Sequence, residues 1–473
     1  MLLALALACC AAFSVQVSAE SLRLSYSLGE ENNLPQTPLR PLPTVKPNTA
    51  VSTPASCDLP PLDQTLVLSD AVMAALCRNP QTRQAWATAL VQAAEVGEAR
   101  SAYWPTLNAN VGRNRDAASG TTPITRNTRS ATLNYVMWDF GLRAANLEAA
   151  QQLLAAALAS QDVVLQSVFA TAMGAYYEAV TAQAALQAVQ LAERAAQTSL
   201  QAATARQTQG VSTLAEVLQA RSAYSKTVLE RVNADGAALT ARGALAFVMG
   251  LDARTPLTLP IDLLSDSSVL PGTEFLSAVG SLIDDAKLAH PSIVAAQAQL
   301  KAAQAHVDSA QAEGRPSIAI TNARYINGRT TTSLVNAAAA ETTIGIVMTI
   351  PLFDGLARAA KVNAARARAE GKAIELAGVE LQVALDVWKT YQDLQTQTAA
   401  LAASKDFVDS TSLASNALAA RYSVGASGIV DLLNAQSALS NAQQQRILTL
   451  GKWRTARSKL LGALGQLGFW AAQ

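Results

Sequence analysis

The chain is written twice, and this internal repeat constrains its fold more than any other feature of the sequence. Four landmarks recur in the same order roughly 210–215 residues apart. They are Asn79-Pro80 with His290-Pro291, Pro105 with Pro316, Trp138-Asp139 with Phe353-Asp354, and Arg206-Gln-Thr-Gln-Gly210 with Arg421-Tyr-Ser-Val-Gly425. A matched order over so much of the chain predicts two copies of one structural unit rather than two unrelated domains.

Each copy predicts a helix, two strands, a long helix, a glycine turn and a returning helix. The first copy is predicted over residues 66–250, with a helix Leu68–Arg100, strands 105–115 and 129–139, a long helix 142–207 and a return helix 212–249. The second is predicted over residues 273–467, with a helix Phe275–Glu313, strands 316–326 and 341–351, a long helix 356–421 and a return helix 428–465. Residues 251–272 are predicted to connect the copies, and residues 468–473 form a tail.

The two long helices predict a coiled coil. Neither segment contains proline, and a helix of about 66 residues spans roughly 100 Å at ~1.5 Å per residue. Such a helix must bury an apolar stripe against neighbours along its length. Apolar residues recur every seven positions, as in Val387, Leu394, Leu401 and Val408, and in the pairs Phe169/Tyr176 and Met173/Val180. This step is typical of a coiled-coil seam.

Short alternating segments between these helices predict strands that cross a membrane. The clearest are Thr106–Arg113, Ala131–Met137 and Thr343–Ile350, with a weaker start at Ile318. Each is near the ~9–11 residues that a tilted strand needs to cross a bilayer. The polar connections Asp116–Arg129 and Asn327–Ala340 resemble external loops. No stretch after residue 19 approaches the ~20 apolar residues of a membrane helix, so we expect membrane entry by strands alone.

Four strands cannot close a barrel, which points to association of several chains. Open strand edges are excluded from lipid because unpaired backbone groups cost several kcal/mol there. The chain is therefore expected to complete its sheet with copies of itself, and three chains would supply twelve strands. Closure alone permits other numbers.

The N-terminus predicts export. Residues 1–19 combine the apolar run Leu2–Ala8 with the small residues Val17-Ser18-Ala19, as in a signal peptide. No Lys or Arg precedes the run, so either the true start lies upstream or the signal is weak. Residues 20–65 are rich in proline and predict an extended segment. An oxidising compartment would permit a Cys57–Cys77 disulfide, but two separate thiols fit the sequence equally well.

Composition and motifs argue against an enzyme. The chain has 36 Lys and Arg against 35 Asp and Glu, so no charge excess favours a nucleic acid partner. Its two histidines, His290 and His306, lack metal-ligand spacing, and we expect structural or solvent-facing roles for both. No phosphate-binding glycine loop and no G-x-S-x-G motif is present. We therefore expect no catalytic, metal or cofactor site.

These landmarks resemble the TolC-like family of outer-membrane factors. The resemblance covers Leu66–Leu467, and its most specific part is Ala420–Gly425 followed by Ile429–Leu433. It implies a mainly α fold with a small β part, in which a homotrimer forms a 12-stranded β-barrel and an α-helical tunnel through the periplasm. The implied partners are outer-membrane lipid, a periplasmic adaptor (membrane fusion) protein, an inner-membrane ABC transporter or alternatively an RND-type pump, and the exported cargo.

The resemblance also implies residue roles at the periplasmic end of the tunnel. Asp431 matches an acidic position that lines the entrance, and three copies would form a ring that favours cations. The familiar acidic neighbour is Asn434 here, and an Arg that ties neighbouring protomers shut is Ser427, so we expect a differently bonded gate that includes Tyr422. The turns at Gly210 and Gly425, with Arg206 and Arg421, would face the adaptor. The simpler reading makes these arginines solvated cations at helix ends.

Three functions fit the sequence to different degrees. Among family members, the chain as a whole is most similar to the outer component of adenylate cyclase–haemolysin toxin secretion, which implies a passive exit duct in type I secretion. No local motif separates this role from that of a multidrug or small-molecule efflux channel. The remaining alternative is a periplasmic coiled-coil protein without a pore.

Overall fold

A computed structural model describes residues 65–117, 120, 123–260, 279–326 and 340–467, all within the compact unit Asn48–Gln473. The first repeat contains α1 (Leu68–Arg78), α2 (Pro80–Ser101), β1 (Thr106–Asp116), β2 (Ile124–Trp138), α3 (Leu142–Thr208) and α4 (Leu214–Val248). The second contains α5 (Val279–Ala289), α6 (Pro291–Ala312), β3 (Ser317–Ile326), β4 (Ala340–Thr349), α7 (Ala357–Ser423) and α8 (Ile429–Ala463). The order of elements is the same in both copies.

Several expectations concern residues outside this part of the chain. They are the signal peptide 1–19, the proline-rich segment apart from Thr65, the connector from 261 onward, most of the loop Asn327–Ala340 and the tail 468–473. Cys77 of α1 is disulfide-bonded, but Cys57 lies outside the described residues. The Cys57–Cys77 bridge therefore stays a prediction.

The first helix of each copy is broken, which corrects the single helices Leu68–Arg100 and Phe275–Glu313. Asn79 and His290 precede proline and have extended backbones, with ψ of 129° and 127°. Proline disfavours the helical conformation in the residue before it, so one helix ends and another begins at proline. Each residue also caps the new helix, because its side chain accepts a hydrogen bond from the backbone N–H two residues later.

Each break receives the end of a return helix. Gly250 follows α4 with φ of 72°, and an added Cβ there would lie 2.9 Å from the backbone of Arg78. Gly465 follows α8 with φ of 68° and abuts His290 and Pro291 in the same way. Asn79 Nδ2 also donates a hydrogen bond of 3.2 Å to the carbonyl oxygen of Val248. The Asn-Pro and His-Pro landmarks thus mark the helix breaks against which the ends of the return helices pack.

The four strands form one antiparallel sheet in the order β1-β2-β3-β4. The β1–β2 pairing runs from Thr106 opposite Asn134 to Asp116 opposite Ile124. The predicted loop Asp116–Arg129 is therefore too long, because strand pairing extends into it. Among the strands that the structure describes, β1 and β4 each leave one edge unpaired, as the sequence argument for association requires.

The long helices pack through the apolar positions that the heptad pattern predicted. Phe169, Met173, Tyr176 and Val180 of α3 are buried against α1 and α4. Val387, Leu394 and Leu401 of α7 are buried in a second cluster with α8 and α5, whereas Val408 is half-buried. The coiled-coil seam is confirmed at these positions.

Helix α3 is apolar enough, by length and composition alone, to cross a membrane, with an 18-residue window of mean hydropathy 1.5. The expectation that no such stretch follows residue 19 was wrong, because isolated polar residues interrupt the apolar run without lowering its average far. About a third of that window, 33%, is buried inside the chain. The helix packs against α1, α2, α4, α6 and α8, so the buried part of its apolar surface serves contacts between helices.

Candidate functional site

Two glycine turns at the far ends of the long helices define the candidate site. Gly210 and Gly425 have φ of 77° and 76°, a left-handed conformation that glycine adopts without strain. In the first turn the N–H of Val211 bonds to the carbonyl of Arg206, and in the second the N–H of Ala426 bonds to that of Arg421. Both helices therefore end in the same six-residue capping motif, as the repeat predicts.

A small apolar cluster joins the two turns. Ala203 of α3 and Ala220 of α4 are buried together with Tyr422 of α7 and with Ile429 and Leu432 of α8. The helical hairpin of the first repeat, α3–α4, is thus packed on that of the second, α7–α8. Movement of one hairpin away from the other would expose this cluster.

Arg206 crosses between the two hairpins and contacts Tyr422. Its Nη1 donates a hydrogen bond of 2.8 Å to the carbonyl oxygen of Tyr422, 216 residues away. Its guanidinium carbon lies 4.8 Å from the centroid of the Tyr422 ring. A guanidinium over an aromatic face is attracted by the ring quadrupole. One side chain of the first repeat therefore bonds to the second in two ways.

Two polar atoms at this contact lack partners among the described residues. Arg206 Nε and the Tyr422 hydroxyl are both buried without a hydrogen bond. Burial raises the pKa of Tyr422, with Arg206 acting to lower it and Glu216 to raise it. Tyr422 as a whole is 6% exposed, and with its pKa raised its hydroxyl stays neutral. Buried polar atoms without a hydrogen bond cost stability. This cost opposes the stabilisation from the hydrogen bond and the ring contact between Arg206 and Tyr422.

The equivalent arginine of the second repeat does something different. Arg421 is exposed, and its Nη2 donates to the carbonyl of Ala426 in its own turn at 3.3 Å. The position that corresponds to Tyr422 in the first repeat is Gln207, which offers no ring to stack on. The two arginines predicted to behave alike at the tips therefore have different surroundings.

The acidic residues at the starts of the return helices also differ. Glu216 sits three residues after Thr213, whose hydroxyl accepts the N–H of Glu216, and its carboxylate accepts the hydroxyl of Ser212 at 2.7 Å. Asp431 occupies the same position in α8, but the cap there is Gly428, which has no side chain. Glu216 is thus engaged locally, whereas Asp431 is exposed and makes no bond among the described residues.

The other two predicted entrance residues lie close by. Asn434 is exposed, three residues after Asp431 and therefore on the same face of α8. The Ser427 hydroxyl donates a hydrogen bond of 3.4 Å to the carbonyl oxygen of Leu418. Leu418 belongs to α7, the helix that precedes the turn containing Ser427. Among the described residues, Ser427 thus bonds within its own hairpin.

At the opposite end of the long helices, a repeated ion pair holds each strand to its helix. Asp139 accepts the N–H of Arg143 at 3.0 Å and its Nε at 2.8 Å, while Arg143 Nη1 bonds to the carbonyl of Val136 at 2.8 Å. Asp354 and Arg358 repeat this arrangement, with Nη2 of Arg358 on the carbonyl of Pro351 at 3.3 Å. Burial would raise the pKa of Asp139, but the hydrogen bonds from Arg143 outweigh it and lower the pKa.

These two arginines were missed by sequence reasoning. Their signal is a D-x-x-x-R spacing present in both copies, at Asp139 and at Asp354. Exposed aromatic rings surround the same junctions, and they belong to Tyr103, Trp104, Trp138, Phe140 and Phe353. Aromatic side chains of this kind are enriched where a protein meets the headgroup level of a bilayer. The junctions thus mark where the sheet meets the helices.

Within the described residues, no group of three or more His, Cys, Asp or Glu side chains is arranged to hold a metal ion. His290 caps α6, and burial lowers its pKa despite the nearby carboxylate of Asp386. His306 lies on the wall of a wide groove across four helices.

Comparison with known proteins places this architecture in context. The outer membrane efflux protein family matches residues 71–251 and 282–466, which correspond to the two repeats. Protein CyaE of Bordetella pertussis is 33% identical over 414 residues, or 86% of each chain. Outer membrane efflux protein BepC of Brucella suis is 26% identical over 86% of this chain and 88% of its own.

A solved structure shows the same fold. The outer membrane protein VceC of Vibrio cholerae superposes with a TM-score of 0.71 at 21% identity, over 85% of this chain and 96% of VceC. The expected fold class, mainly α with a small β part and duplicated helical hairpins, is confirmed by this match and by the observed elements.

Proposed function

Because the chain belongs to the outer membrane efflux protein family, we propose that three copies form a passive exit duct for a protein toxin in type I secretion. The chain is an outer-membrane protein of a channel family, with a tunnel of long helices in the periplasm. The number of copies, the cargo, the adaptor and the ABC transporter belong to the proposal. No catalytic role is part of it.

The free edges of the chain support a ring of copies. Among the described residues, α4 and α7 carry apolar side chains on the face opposite to the one they bury in their own chain. On α4 these are Leu218, Leu229, Val232, Leu239 and Phe247, and on α7 they are Ile374, Leu381, Leu385 and Trp388. Helices apolar on two faces need two neighbours. One edge of each copy can therefore pack on the other edge of the next, as in a closed cyclic oligomer.

The sheet supports the same arrangement. The unpaired edges of β1 and β4 lie at opposite sides of the four strands. In a ring, β4 of one copy would pair with β1 of the next, which leaves no edge open to lipid. Twelve strands from three copies agree with the known range of bacterial barrels. This pairing is the feature that a protein without a pore would lack.

The closing contact of the duct is proposed to be the bond between Arg206 and Tyr422. Within each chain it joins the two hairpins at their tips, where opening requires them to separate. Asp431, exposed on α8 and unengaged by a cap, is proposed to line the entrance as part of a ring of three carboxylates. Arg421, Gly210 and Gly425 are exposed at the tips, where an adaptor would dock.

The choice of a toxin as cargo is carried by one observation, the identity to CyaE. At 33% over 86% of both chains, it exceeds the 26% to the efflux protein BepC over a similar span. The resemblance described from the sequence connects this kind of outer component with adenylate cyclase–haemolysin secretion. A small-molecule efflux channel is the second candidate, which the similarity to BepC favours.

Surface labelling tests the channel. Ala117 lies between β1 and β2, whereas Gln209 lies in a turn at the tunnel tip, and both are exposed. A membrane-impermeant maleimide should label Ala117→Cys in intact cells and Gln209→Cys only after the outer membrane is permeabilised. Labelling of Gln209→Cys alone, and only after permeabilisation, would favour a periplasmic protein without a pore.

Deletion of the gene tests the cargo. We expect extracellular toxin to disappear while susceptibility to small toxic compounds stays unchanged. The reverse pattern would make efflux the function. Complementation with the wild-type gene should restore the lost phenotype in either case.

A further inference from the structure

A wide groove runs over the four helices between the sheet and the helix breaks. It encloses about 1560 Å³ and is lined by α2, α3, α6 and α7. Its floor is made of small residues, including Ala156, Ala302 and Ala365, all buried. Along α7 the lining runs from Lys361 to Glu375, which spans roughly 20 Å at ~1.5 Å per residue. That length suits an extended polypeptide segment of about six residues.

The groove lies on the side of α3 that faces away from α1. Leu153, Ser160 and Ser167 line it at seven-residue steps, while Phe169 and Tyr176 are buried on the other side of the helix with α1. Neither α1 nor α5 contributes a lining residue. In the proposed ring of copies, we expect this concave face, which is turned away from α1, to form the inner wall of the tunnel.

The lining carries three cations and two carboxylates. Lys361 is bonded to Glu313 at 2.9 Å, and Lys372 to Glu375 at 2.7 Å. Each lysine is therefore paired with an acidic side chain of the groove. Arg368 lies between them on α7, exposed, and has no hydrogen bond or ion pair among the described residues. One guanidinium per chain is thus available to a ligand.

The neutral polar groups around it favour the same kind of ligand. Gln84 and Gln92 of α2 and Gln299 of α6 also line the groove, and Ser160 adds a hydroxyl. The side-chain oxygen of Gln299 accepts a hydrogen bond of 2.9 Å from Lys372 Nζ, so its NH2 group is the part that can serve a ligand. Amides and hydroxyls can donate hydrogen bonds to carboxylate oxygens, and a guanidinium pairs with a carboxylate through two parallel bonds. The groove therefore combines one free cation with several neutral donors.

We propose that this groove is a binding site for acidic segments of the exported polypeptide, with Arg368 as the residue that pairs with their carboxylates. The inference rests on the proposed function, because only a ring of copies makes the groove an inner wall. The cargo class it names is a chain rich in Asp or Glu that passes in extended form. Three such grooves would line the tunnel just below the barrel.

Tunnel dimensions decide how the charge acts. Twelve helices about 10 Å apart enclose a lumen roughly 30 Å wide. Arg368 then lies about 15 Å from the axis, beyond the Debye length of ~8 Å at physiological salt. A segment at the centre would not sense the charge, whereas a segment on the wall would. The site therefore retains cargo at the wall, and its long-range effect appears only at low salt.

Single-channel recording with the purified full-length trimer tests the site. An oligoglutamate peptide should interrupt the current, and Arg368→Gln should shorten these interruptions by about threefold, as expected for the loss of one exposed ion pair. Arg366→Gln is the matched control, because Arg366 is exposed on the same helix but does not line the groove. Oligolysine should cause no interruptions that depend on Arg368.

The outcomes separate this inference from the function it rests on. Equal interruptions in wild type, Arg368→Gln and Arg366→Gln, in a channel of normal conductance, would overturn the binding site alone. An equal loss in both variants would also overturn it, since general charge rather than the groove would be responsible. A protein that forms neither trimers nor conducting channels would overturn the proposed function and this site with it.

Discussion

Replacement of Arg206 by alanine should favour the open state of the proposed duct, if the bond between Arg206 and Tyr422 is its closing contact. The substitution removes the hydrogen bond to the carbonyl of Tyr422 and the stacking on its ring. It leaves the glycine turn intact, because that turn is held by backbone bonds from Val211 and Gly210. The effect should therefore appear in gating rather than in folding.

The magnitude follows from the contacts. A hydrogen bond from a charged donor contributes about 1.5–3 kcal/mol, and cation–π attraction about 0.5–2 kcal/mol. Removal of the buried, unbonded Nε of Arg206 returns roughly 1–3 kcal/mol. The net loss is about 1–2 kcal/mol per chain, or a factor of about 5–30 in the ratio of closed to open. If the three hairpin pairs of a trimer open together, the three factors multiply, and the ratio of closed to open channels falls by about a hundredfold or more.

Open probability in planar bilayers measures this change, with trimer content checked by size-exclusion chromatography. Arg421→Ala is the matched control, because Arg421 is exposed and bonds only within its own turn; we expect little change there. Tyr422→Phe keeps the ring and removes a hydroxyl without a partner, so closure should be kept or strengthened. The reasoning is refuted if Arg206→Ala leaves the open probability unchanged, or if Arg421→Ala raises it equally.

Three other predictions address charge. Asp431→Ala should abolish cation preference and cation block, and Asn434→Asp should increase both; unchanged reversal potentials would remove Asp431 from the entrance. Asp139→Asn should lower the midpoint of thermal unfolding at pH 7. Arg143 keeps the pKa of Asp139 below its usual 3.8, so the ion pair stabilises the wild type above that pH and ceases to do so as Asp139 is protonated below it. The unfolding midpoints of wild type and Asp139→Asn should therefore become equal in acid. Asp162 lies within α3, where burial raises its pKa to about 6 and so penalises its charged form. Asp162→Asn should therefore raise the unfolding midpoint at pH 8, with the gain vanishing as pH falls from 6 toward 4.

Sequence periodicity predicted the helices well because their lengths and seams depend on local pattern. The seam residues Phe169 and Val387 are buried where the heptads place them. The break at Asn79 was missed although proline signalled it, because the flanking segments each continue a helical pattern. What proline alone did not reveal is the tertiary reason for the break, namely the docking of Gly250 against Arg78.

The candidate site was predicted in part. Glycine turns follow from backbone chemistry, so Gly210 and Gly425 were found from sequence. The bond between Arg206 and Tyr422 joins residues 216 positions apart, and no single-sequence pattern specifies such a pairing. Internal symmetry even argued against it, since it predicted equal roles for Arg206 and Arg421. The roles differ because only one copy has an aromatic ring next to its arginine.

The unequal arginines change how the assembled tips should be counted. The backbone turns at Gly210 and Gly425 are alike, so a trimer would offer six nearly equivalent sites to a partner that binds the main chain. The side-chain contacts between Arg206 and Tyr422, by contrast, would number three, because one hairpin of each pair supplies the guanidinium and the other the aromatic ring. A partner protein with six equivalent binding units could therefore bind all six turns in the same way, although the contacts that it would have to break to open the tunnel number only three.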